Sequence, residues 1–383
     1  MAHSSTILSQ VLKLIPRHDF QKLAKAHDGN RRKGAFSRWS QFVALSVTQL
    51  TGRSSLRDIE LTMESHKHSH YHLGCQAVRK STLARSNEQL SGDFYQSLFL
   101  TLYQRCSSPS PGKSFGLNKK LFSLDASIID VSMKIFPQAN FNTVKAAYKL
   151  HIGLDHDGMI PAFATVTGAR DSDMSQARAF DFPRGSVVVF DKGYNDYSWH
   201  NSLTDKGIYF VTRIRSNALY RVVERRDCSQ HPDVTSDQII EYTGVKARQE
   251  SLHAIRRVGY RDRDTGKHYV FITNNMEWSP ETVAAIYKQR WQVELFFKWI
   301  KQNLKIKSFI GNTENAVKTQ IFAALCVYLM IAFLKFQCRT EFSLQKVFRL
   351  IQVNAFSKRG LYELFDPPGA LKYESRQMEL IKM

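Results

Sequence analysis

The sequence predicts an α/β protein in which a mainly helical N-terminal part precedes a part that mixes strands and helices. The chain has 383 residues, of which 43% are hydrophobic, and this is enough for two or three units with at least one sizeable core. Apolar residues recur at helical spacing in the first 110 positions and again after Ser279. Short apolar runs bounded by turn residues, which are typical of strands, lie between these two regions.

Residues 1–110 are predicted to form the helical unit. Residues 36–63 carry apolar side chains at helical spacing that is interrupted at Thr51-Gly52 and resumes after Ser55, which indicates two helices joined by a turn. A Ser-Thr pair at 81–82 can cap a further helix that continues toward Cys106. Residues 107–113 are rich in Ser, Pro and Gly and are predicted to be a linker, so a boundary near residue 110 follows.

Residues 111–345 are predicted to form the mixed unit. Strand-like runs occur at 121–131, 146–155, 159–168, 186–194, 208–215 and 268–275. The polar, irregular interval inside this region predicts an inserted β-rich subdomain at about 217–270. From Ser279 onward the pattern predicts one helix that runs through Leu304. Residues 346–383 are predicted to be a C-terminal helical tail.

The charge of the chain points to a polyanionic partner. Lys and Arg outnumber Asp and Glu by 54 to 34, which gives a formal net charge of +20. The first 113 residues hold 16 basic and 7 acidic side chains, so this part carries +9 and can engage phosphates if the basic residues gather on one side. The alternatives are a helical core with solvated basic faces and, for the chain as a whole, an anionic membrane surface.

A membrane location is disfavoured by the apolar pattern. The first 20 residues do not form the apolar core of an export signal, and the longest apolar run, residues 321–334, is too short to cross a bilayer comfortably. That run is predicted to be a buried core helix. Five cysteines without CxxC spacing argue against a disulfide framework and a zinc ribbon, so a reducing cytoplasm is expected.

Three carboxylates are the candidate catalytic residues. Asp125 follows the apolar run 121–124 and Asp191 ends the run 187–190, so each is predicted on or at the end of a core strand, where two Asp residues can share Mg²⁺. A strand-terminal Asp more often caps a turn. Glu294 lies on a narrow polar helical stripe with the basic and phenolic residues Tyr287, Arg290, Lys298, Lys301 and Lys305. The alternative for this stripe is an exposed face with an ordinary Glu294–Lys298 ion pair.

The spacing Tyr287, two residues, Arg290, three residues, Glu294, six residues, Lys301 resembles the Y-R-E-K signature of DDE transposases of the insertion sequence four family. The segments FSLDAS around Asp125 and VVVFDKGYNDY from residue 187 are similar to the other two motifs of that family, in the same order. The segments YHLG and STLARSN look like pieces of the helical DNA-binding part of these enzymes. No signature residue departs from the pattern.

The resemblance implies a ribonuclease-H-like catalytic core, a β-rich insertion between the second Asp and the Glu, and a helical N-terminal DNA-binding domain. It implies two Mg²⁺ ions, for which Mn²⁺ can substitute, with Asp125 bridging both and Asp191 and Glu294 each completing one. The expected reaction is cleavage by water followed by joining through a DNA 3′-hydroxyl. The expected partners are terminal inverted repeats, target DNA and a second copy in the synaptic complex, with no membrane and no small-molecule substrate, in the bacterial cytoplasm at the nucleoid.

The resemblance also implies DNA contacts around the carboxylates. Tyr287, Arg290 and Lys301 are expected to touch phosphates near the scissile bond, and Lys298 shares their stripe. A hairpin at the transposon end would require a base to leave the stack, and Trp278 is a candidate stacking partner.

Two further features of the sequence invite functional readings. Arg213 and Arg215 alternate on a predicted strand, so they either track the DNA backbone or are exposed sheet-edge charges. The tract HKHSHYH at residues 66–72 has the i,i+4 His spacing of a metal site, but without paired Cys or a carboxylate pattern it is predicted to be a polar loop.

Two other functions remain open from the sequence. A non-catalytic DNA-binding protein descended from such an enzyme would use the basic surface alone, and the intact carboxylates count against it. A structure-selective nuclease on the same fold would cut branched DNA irrespective of the sequence at its ends.

Overall fold

The structure is a computed structural model that describes residues 5–30, 32, 34–111, 118–130, 147–250 and 253–365, without the side chains of 246–248. Helices and strands alternate in the manner of a mixed α/β protein, as the sequence predicts. The helices are α1 (Ile7–Leu12), α2 (Arg17–Asp28), α3 (Arg38–Thr51), α4 (Leu56–Ser65), α5 (His70–Leu73), α6 (Lys80–Gln89), α7 (Asp93–Ser107), α8 (Asp173–Ala179), α9 (Tyr197–Asp205), α10 (Val245–Glu250), α11 (Pro280–Gln289), α12 (Trp291–Asn303), α13 (Glu314–Cys338) and α14 (Leu344–Asn354).

The strands form one sheet in the order β3-β2-β1-β4-β5-β9-β8-β7-β6. Their ranges are β1 (Leu121–Asp130), β2 (Ala147–Asp155), β3 (Ile160–Gly168), β4 (Val187–Phe190), β5 (Tyr209–Arg213), β6 (Tyr220–Arg226), β7 (Val234–Tyr242), β8 (Ile255–Arg261) and β9 (His268–Thr273). Strands β1, β2 and β3 are antiparallel neighbours, while β4 and β5 run parallel to β1. The carboxyl ends of β1, β4 and β5 therefore meet at one edge of the sheet.

The segment expected to be an inserted β subdomain contains β6, β7, β8 and α10 and continues the same sheet through β9. Strand β9 pairs with β5, where Val211 lies opposite Thr273. A buried ion pair joins β7 to β8, because Nε and Nη2 of Arg256 donate to the Asp237 carboxylate at 2.8 and 2.7 Å. Because the segment extends the core sheet, the existence of a separate subdomain remains a prediction.

The N-terminal helices pack around α13 rather than around a core of their own. Helices α3, α6, α7 and α14 all contact α13, and one apolar cluster includes Phe42, Phe99 and Phe322 together with residues of β2 and β3. The domain divisions at 110 and 345 therefore stay predictions, and residue 345 lies inside α14. Residues 366–383 of the expected tail lie outside the described part of the chain.

Helix α13 contains the long apolar run that the sequence predicts to be a core helix. It spans 25 residues and is long and apolar enough, by length and composition, to cross a membrane. Every residue from Gln320 to Ala332 is buried, because α3, α6, α7 and α14 cover the helix. This packing is that of a core helix of a folded domain.

The prediction of one helix from Ser279 through Leu304 is wrong in one respect. The chain forms two helices, α11 and α12, that are interrupted at Arg290 and end at Asn303. On either side of the interruption, the amide of Arg290 donates to Tyr287 O at 3.0 Å and the amide of Val293 donates to Arg290 O at 3.3 Å. These bonds reach back three residues instead of four, so the regular α-helical ladder is broken there.

Candidate active site

Strand pairing places Asp125 beside Asp191. In the parallel pair β1–β4, Leu124 lies opposite Phe190; Asp125 is the next residue of β1, and Asp191 is the residue that follows β4. Neighbouring strands lie about 4.8 Å apart, so the two carboxylates project from adjacent positions. Side chains alternate along β1, and Leu121 belongs to the apolar cluster under α11, so Asp125 faces the side covered by α11 and α12.

Glu294 reaches the same region from above the sheet. Helix α12 packs on β1 and β2 through Val293, Phe297 and Ile300, all of them buried. Glu294 lies in the first turn of α12, and its Oε1 accepts a hydrogen bond of 2.8 Å from Nη1 of Arg290. The side chain of Glu294 is about one-third exposed, and its charge acts on Asp125.

Arg213, Tyr287 and Arg290 surround Asp191. Its Oδ1 lies 3.3 Å from Nη2 of Arg213 and accepts a hydrogen bond from the Tyr287 hydroxyl at 3.4 Å. The guanidinium groups of Arg213 and Arg290 each lie 5.8 Å from the centre of the Tyr287 ring. The side-chain amide of Asn195 donates to the carbonyl of Arg213 at 2.7 Å and so holds the end of β5 at the site.

The two Asp residues differ in their electrostatics. Burial raises the pKa of Asp125 to about 6; Glu294 and Asp191 add to the rise, while the Ala126 amide and Arg290 oppose it. Burial also acts to raise the pKa of Asp191, but the Lys192 amide and the two guanidinium groups outweigh it, so that this pKa is lowered. Asp191 is thus the more readily ionised carboxylate, and Asp125 is costly to ionise in the ion-free protein.

The remaining predicted basic residues lie at different distances from the carboxylates. Lys301 donates to the Ser127 hydroxyl at 2.7 Å and to Ile128 O at 2.8 Å, which fixes α12 to the far end of β1. Lys298 is exposed on α12. Arg215 is exposed beyond the end of β5, with its Nε 3.4 Å from Lys192 O, so it does not continue the strand as predicted.

The structure does not bring Trp278 to this site. Its ring packs against Tyr209 with ring centroids 5.3 Å apart, and Tyr209 lies opposite Val187 at the start of β4 and β5. Asp191 and Arg213 lie at the other ends of these strands, four residues away, which is about 13 Å at 3.3 Å per residue. A stacking role beside the carboxylates does not suit this position.

The histidine tract is also separate from the site. It forms a short helical segment rather than the predicted loop: a 3₁₀ turn at Lys67–Ser69 followed by α5. The ring of His66 stacks on Phe356 at 3.7 Å, and His70 bonds to Met63 O. Within the ranges that the structure describes, no three His, Cys, Asp or Glu side chains are grouped so as to hold a metal ion.

Comparison with known families identifies the family. A family profile described as "Transposase DDE domain" matches residues 118–330, more than half of the chain, and this range contains all three carboxylates. The chain belongs to the family of DDE transposases. A second profile, described only as a domain of unknown function, matches residues 3–76.

The names of three curated relatives agree with membership of this family. A Sinorhizobium fredii protein named as a transposase is 31% identical over 224 residues, which are 57% of this chain and 62% of that protein. A Geobacillus stearothermophilus protein named as a transposase for insertion sequence element IS5377 is 26% identical, covering 70% of each chain. A Synechocystis protein named for element IS4SA is 25% identical, covering 68% of this chain and 72% of that one. The first match thus spans less than two thirds of that relative.

One solved structure resembles the whole of the described fold loosely. It is the piggyBac transposase synaptic complex with hairpin DNA, determined by cryo-electron microscopy, and it is 10% identical with a TM-score of 0.47. The match covers 98% of this chain and 84% of that chain.

The sequence did not reveal a groove that opens beside the carboxylates of this DDE transposase. Its walls are α11 on one side and β8–β9 on the other, and aromatic side chains line it: Tyr260, Tyr269, Phe271 and Trp291. Arg213, Tyr287 and Arg290 form its end nearest Asp191. These residues come from four separate segments, so no local pattern joins them. The one feature that marks the groove is the exposed indole of Trp291, which is 55% exposed on α12.

Proposed function

We propose that this DDE transposase cuts and joins DNA at the ends of an insertion sequence, with Asp125, Asp191 and Glu294 as its catalytic carboxylates. The observation that carries the proposal is the pairing of β1 with β4, which sets the two Asp residues side by side beneath the helix that bears Glu294. The Y-R-E-K subgroup, the ribonuclease-H-like core and the DNA-binding role of residues 1–110 belong to the same proposal.

The donor atoms are of the type that divalent ions prefer, although among the described residues Asp125, Asp191 and Glu294 are not grouped closely enough to hold an ion. Carboxylate oxygens are preferred ligands of Mg²⁺, and the raised pKa of Asp125 reflects burial and neighbouring negative charge that a cation would relieve. Asp125, Asp191 and Glu294 would hold two Mg²⁺ ions, or Mn²⁺ in their place, once Glu294 turns away from Arg290. Such ions supply an activated oxygen nucleophile and charge stabilisation for the leaving oxygen.

The basic residues of the site are suited to bind the DNA backbone. Nε of Arg213 and Nε of Arg290 are buried and have no hydrogen-bond acceptor among the described residues, so each guanidinium has a donor to offer. A phosphate beside Asp191 would accept from Arg213, Arg290 and the Tyr287 hydroxyl together. These three side chains position the scissile strand and compensate its charge, while the exposed Lys298 and Arg215 extend the basic surface and Lys301 contacts β1.

The partners follow from the family and the charge of +20. We propose that the protein binds terminal inverted repeats and target DNA in the bacterial cytoplasm, at the nucleoid. A second copy completes the synaptic complex, because two element ends must be held together for joining.

The test uses duplex oligonucleotides that carry the inverted repeats flanking the gene, with Mg²⁺ or Mn²⁺. We expect strand cleavage at the repeat end and joining to target DNA, and Asp191→Asn should bind the same duplex but leave it intact. Binding without cleavage by the unmodified protein would support a non-catalytic DNA-binding protein. Cleavage of branched DNA regardless of its end sequence would support a structure-selective nuclease. Full cleavage by Asp191→Asn would overturn the catalytic assignment.

A further inference from the structure

The interruption between α11 and α12 has no cause within its own sequence. Residues 281–303 include neither Gly nor Pro, and the apolar spacing continues through the break. Interrupted helices otherwise arise where a side chain or a water enters the backbone hydrogen-bond ladder. The cause must therefore be sought in what packs against residue 290.

A buried serine of the sheet enters the ladder at this point. The hydroxyl of Ser123 donates a hydrogen bond of 3.3 Å to the carbonyl of Gln289, the last residue of α11. Ser123 has no solvent exposure and lies on β1 two residues before Asp125, so both side chains face the helices. The carbonyl of Gln289 thus has a partner outside the helix, at the position where the four-residue bonding gives way to three-residue bonding.

His156 fixes the orientation of this hydroxyl. Its Nε2 lies 2.6 Å from Ser123 Oγ, and the ring is 2% exposed. A serine hydroxyl has one hydrogen, so when Ser123 donates to Gln289 O, it must accept from His156, and Nε2 must carry the proton. Burial lowers the pKa of His156 to about 4, so the ring is neutral at physiological pH and keeps this arrangement.

The break allows α11 and α12 to pack on different strands of the sheet. Helix α11 contacts β4, β5, β8 and β9, whereas α12 contacts β1 and β2. Tyr287, in the last turn of α11, therefore reaches Asp191 after β4, while Glu294, in the first turn of α12, lies over β1. Arg290 stands at the break and links the two groups through Glu294 and the Tyr287 ring.

We propose that Ser123 and His156 are positioning residues of the active site, which hold the α11–α12 break through the carbonyl of Gln289 and so align Arg290 and Glu294 with the two Asp residues. The inference rests on the proposed function, because it assigns these residues to the same cleavage reaction. Neither side chain touches the DNA or the carboxylates in this role.

The first experiment compares Ser123→Ala with Ser186→Ala. Ser186 is a matched control, because it is 2% exposed and its hydroxyl also donates to a backbone carbonyl, Pro183 O at 2.6 Å, but at the opposite edge of the sheet. We expect both variants to lose similar thermal stability. Only Ser123→Ala should lower the single-turnover cleavage rate, by about 10- to 100-fold as a small misplacement does, with the Kd for DNA within about twofold. Equal cleavage rates in the two variants would overturn the inference.

The second experiment tests the histidine by rescue. His156→Leu keeps the volume but removes the hydrogen bond to Ser123, whereas the neutral amide of His156→Gln can restore it. We expect His156→Leu to cleave as slowly as Ser123→Ala and His156→Gln to recover most of the rate. Identical rates for His156→Leu and the unmodified protein would remove His156 from the proposal.

A third measurement is independent of activity. Hydrogen exchange at the amide of Val293, followed by mass spectrometry without DNA or divalent ions, should be slower in Ser123→Ala than in Ser186→Ala, because the freed carbonyl of Gln289 can then accept the regular four-residue bond from this amide, while exchange at Arg290 should also differ between the two variants. Unchanged protection at these amides would overturn the anchoring role even if cleavage fell. If the unmodified protein cleaves no DNA, the proposed function fails, and this exchange measurement alone decides whether Ser123 holds the break.

Discussion

Two long helical stretches of this transposase differ in their continuity: one is unbroken and the other is interrupted. Helix α13 runs for 25 residues without a break and is covered mainly by other helices and partly by β3. The stretch from Pro280 to Asn303 is nearly as long, but it lies on the sheet and is divided at Arg290. Among the described residues, a neighbour of α13 offers its ladder only a weak thiol donor, Cys106, whose Sγ lies 3.6 Å from Leu329 O, whereas β1 offers the divided stretch a buried hydroxyl, that of Ser123.

The difference separates stability from chemistry. Burial of α13 removes large apolar side chains from water, which stabilises the fold. The divided stretch keeps polar side chains at the sheet edge, where Tyr287, Arg290 and Glu294 contact one another or Asp191. Substitutions in α13 are therefore expected to change the free energy of unfolding, and substitutions in the polar residues of α11 and α12 to change the rate of cleavage.

The largest expected effect is that of Glu294→Gln, which keeps the shape of the side chain and removes its charge. Cleavage should fall on the order of 10³-fold, as on loss of a group that acts in the transition state. The melting temperature should barely move, because a partly exposed i,i+4 ion pair contributes only about 0.3 to 0.5 kcal/mol. Glu363→Gln removes the carboxylate of another i,i+4 Arg–Glu pair, with Arg359, and is the control. A large loss of stability in Glu294→Gln would break the comparison.

The converse prediction concerns Phe322 in α13. This ring is fully buried and packs edge-to-face against Phe99 with centroids 6.0 Å apart. Phe322→Ala should lower the free energy of unfolding by about 3 to 5 kcal/mol, measured by chemical denaturation. At a temperature where the variant stays folded, its cleavage rate should match that of the unmodified protein. Val353→Ala, at a position 76% exposed, is the control and should cost less than about 0.5 kcal/mol.

Most residues of the proposed site could be singled out from the sequence because their signals are local. Asp125 and Asp191 follow apolar strand runs, and Glu294 belongs to a helical stripe, so each is visible within about ten residues of sequence. The break at Arg290 could not be predicted, because its cause is Ser123, which lies 166 residues away. The position of Trp278 could not be predicted for a similar reason: its separation along the chain does not show at which end of the strands it lies.

The fold was predictable to the same extent. Periodicity identified the helices and strands, including the apolar run of α13, since each element forms its pattern from its own residues. It did not show that the N-terminal helices share one core with α13, because Phe42 and Phe322 are far apart in sequence and meet only in the folded chain. Nor did it show that β9 joins β5, which makes the insertion a continuation of the sheet.

The pH dependence of stability should reveal the cost of the Asp125 charge, which is buried beneath α12. The folded pKa of Asp125, about 6, exceeds the unfolded value of about 3.9. The stability that protonated Asp125 contributes is therefore fully present below pH 4 and is lost as the pH rises through 6. Asp125→Asn should therefore melt higher than the unmodified protein at pH 7.5 without divalent ions, with a smaller advantage at pH 5.

Asp191→Asn is the matched variant of opposite sign. The pKa of Asp191 is lowered in the folded protein, so this carboxylate stabilises the fold above its unfolded pKa, and that contribution is lost as the pH falls through the lower folded value. Asp191→Asn should melt lower than the unmodified protein at pH 7.5. Shifts of the same sign in the two variants would contradict this account of the site.

The smallest expected effect separates the two helical stretches by their contact with DNA. Lys298 is exposed on α12, whereas Lys335 lies in the last turn of α13. If Lys298 contacts one phosphate, Lys298→Ala should weaken binding by a few-fold and reduce the slope of log K against log salt by about 0.9, because one fewer counterion is released. Lys335→Ala removes the same charge from the chain and should leave the slope unchanged. Equal changes of slope would show that the DNA contacts both helices. The net charge, and not the face of α12, would then govern binding.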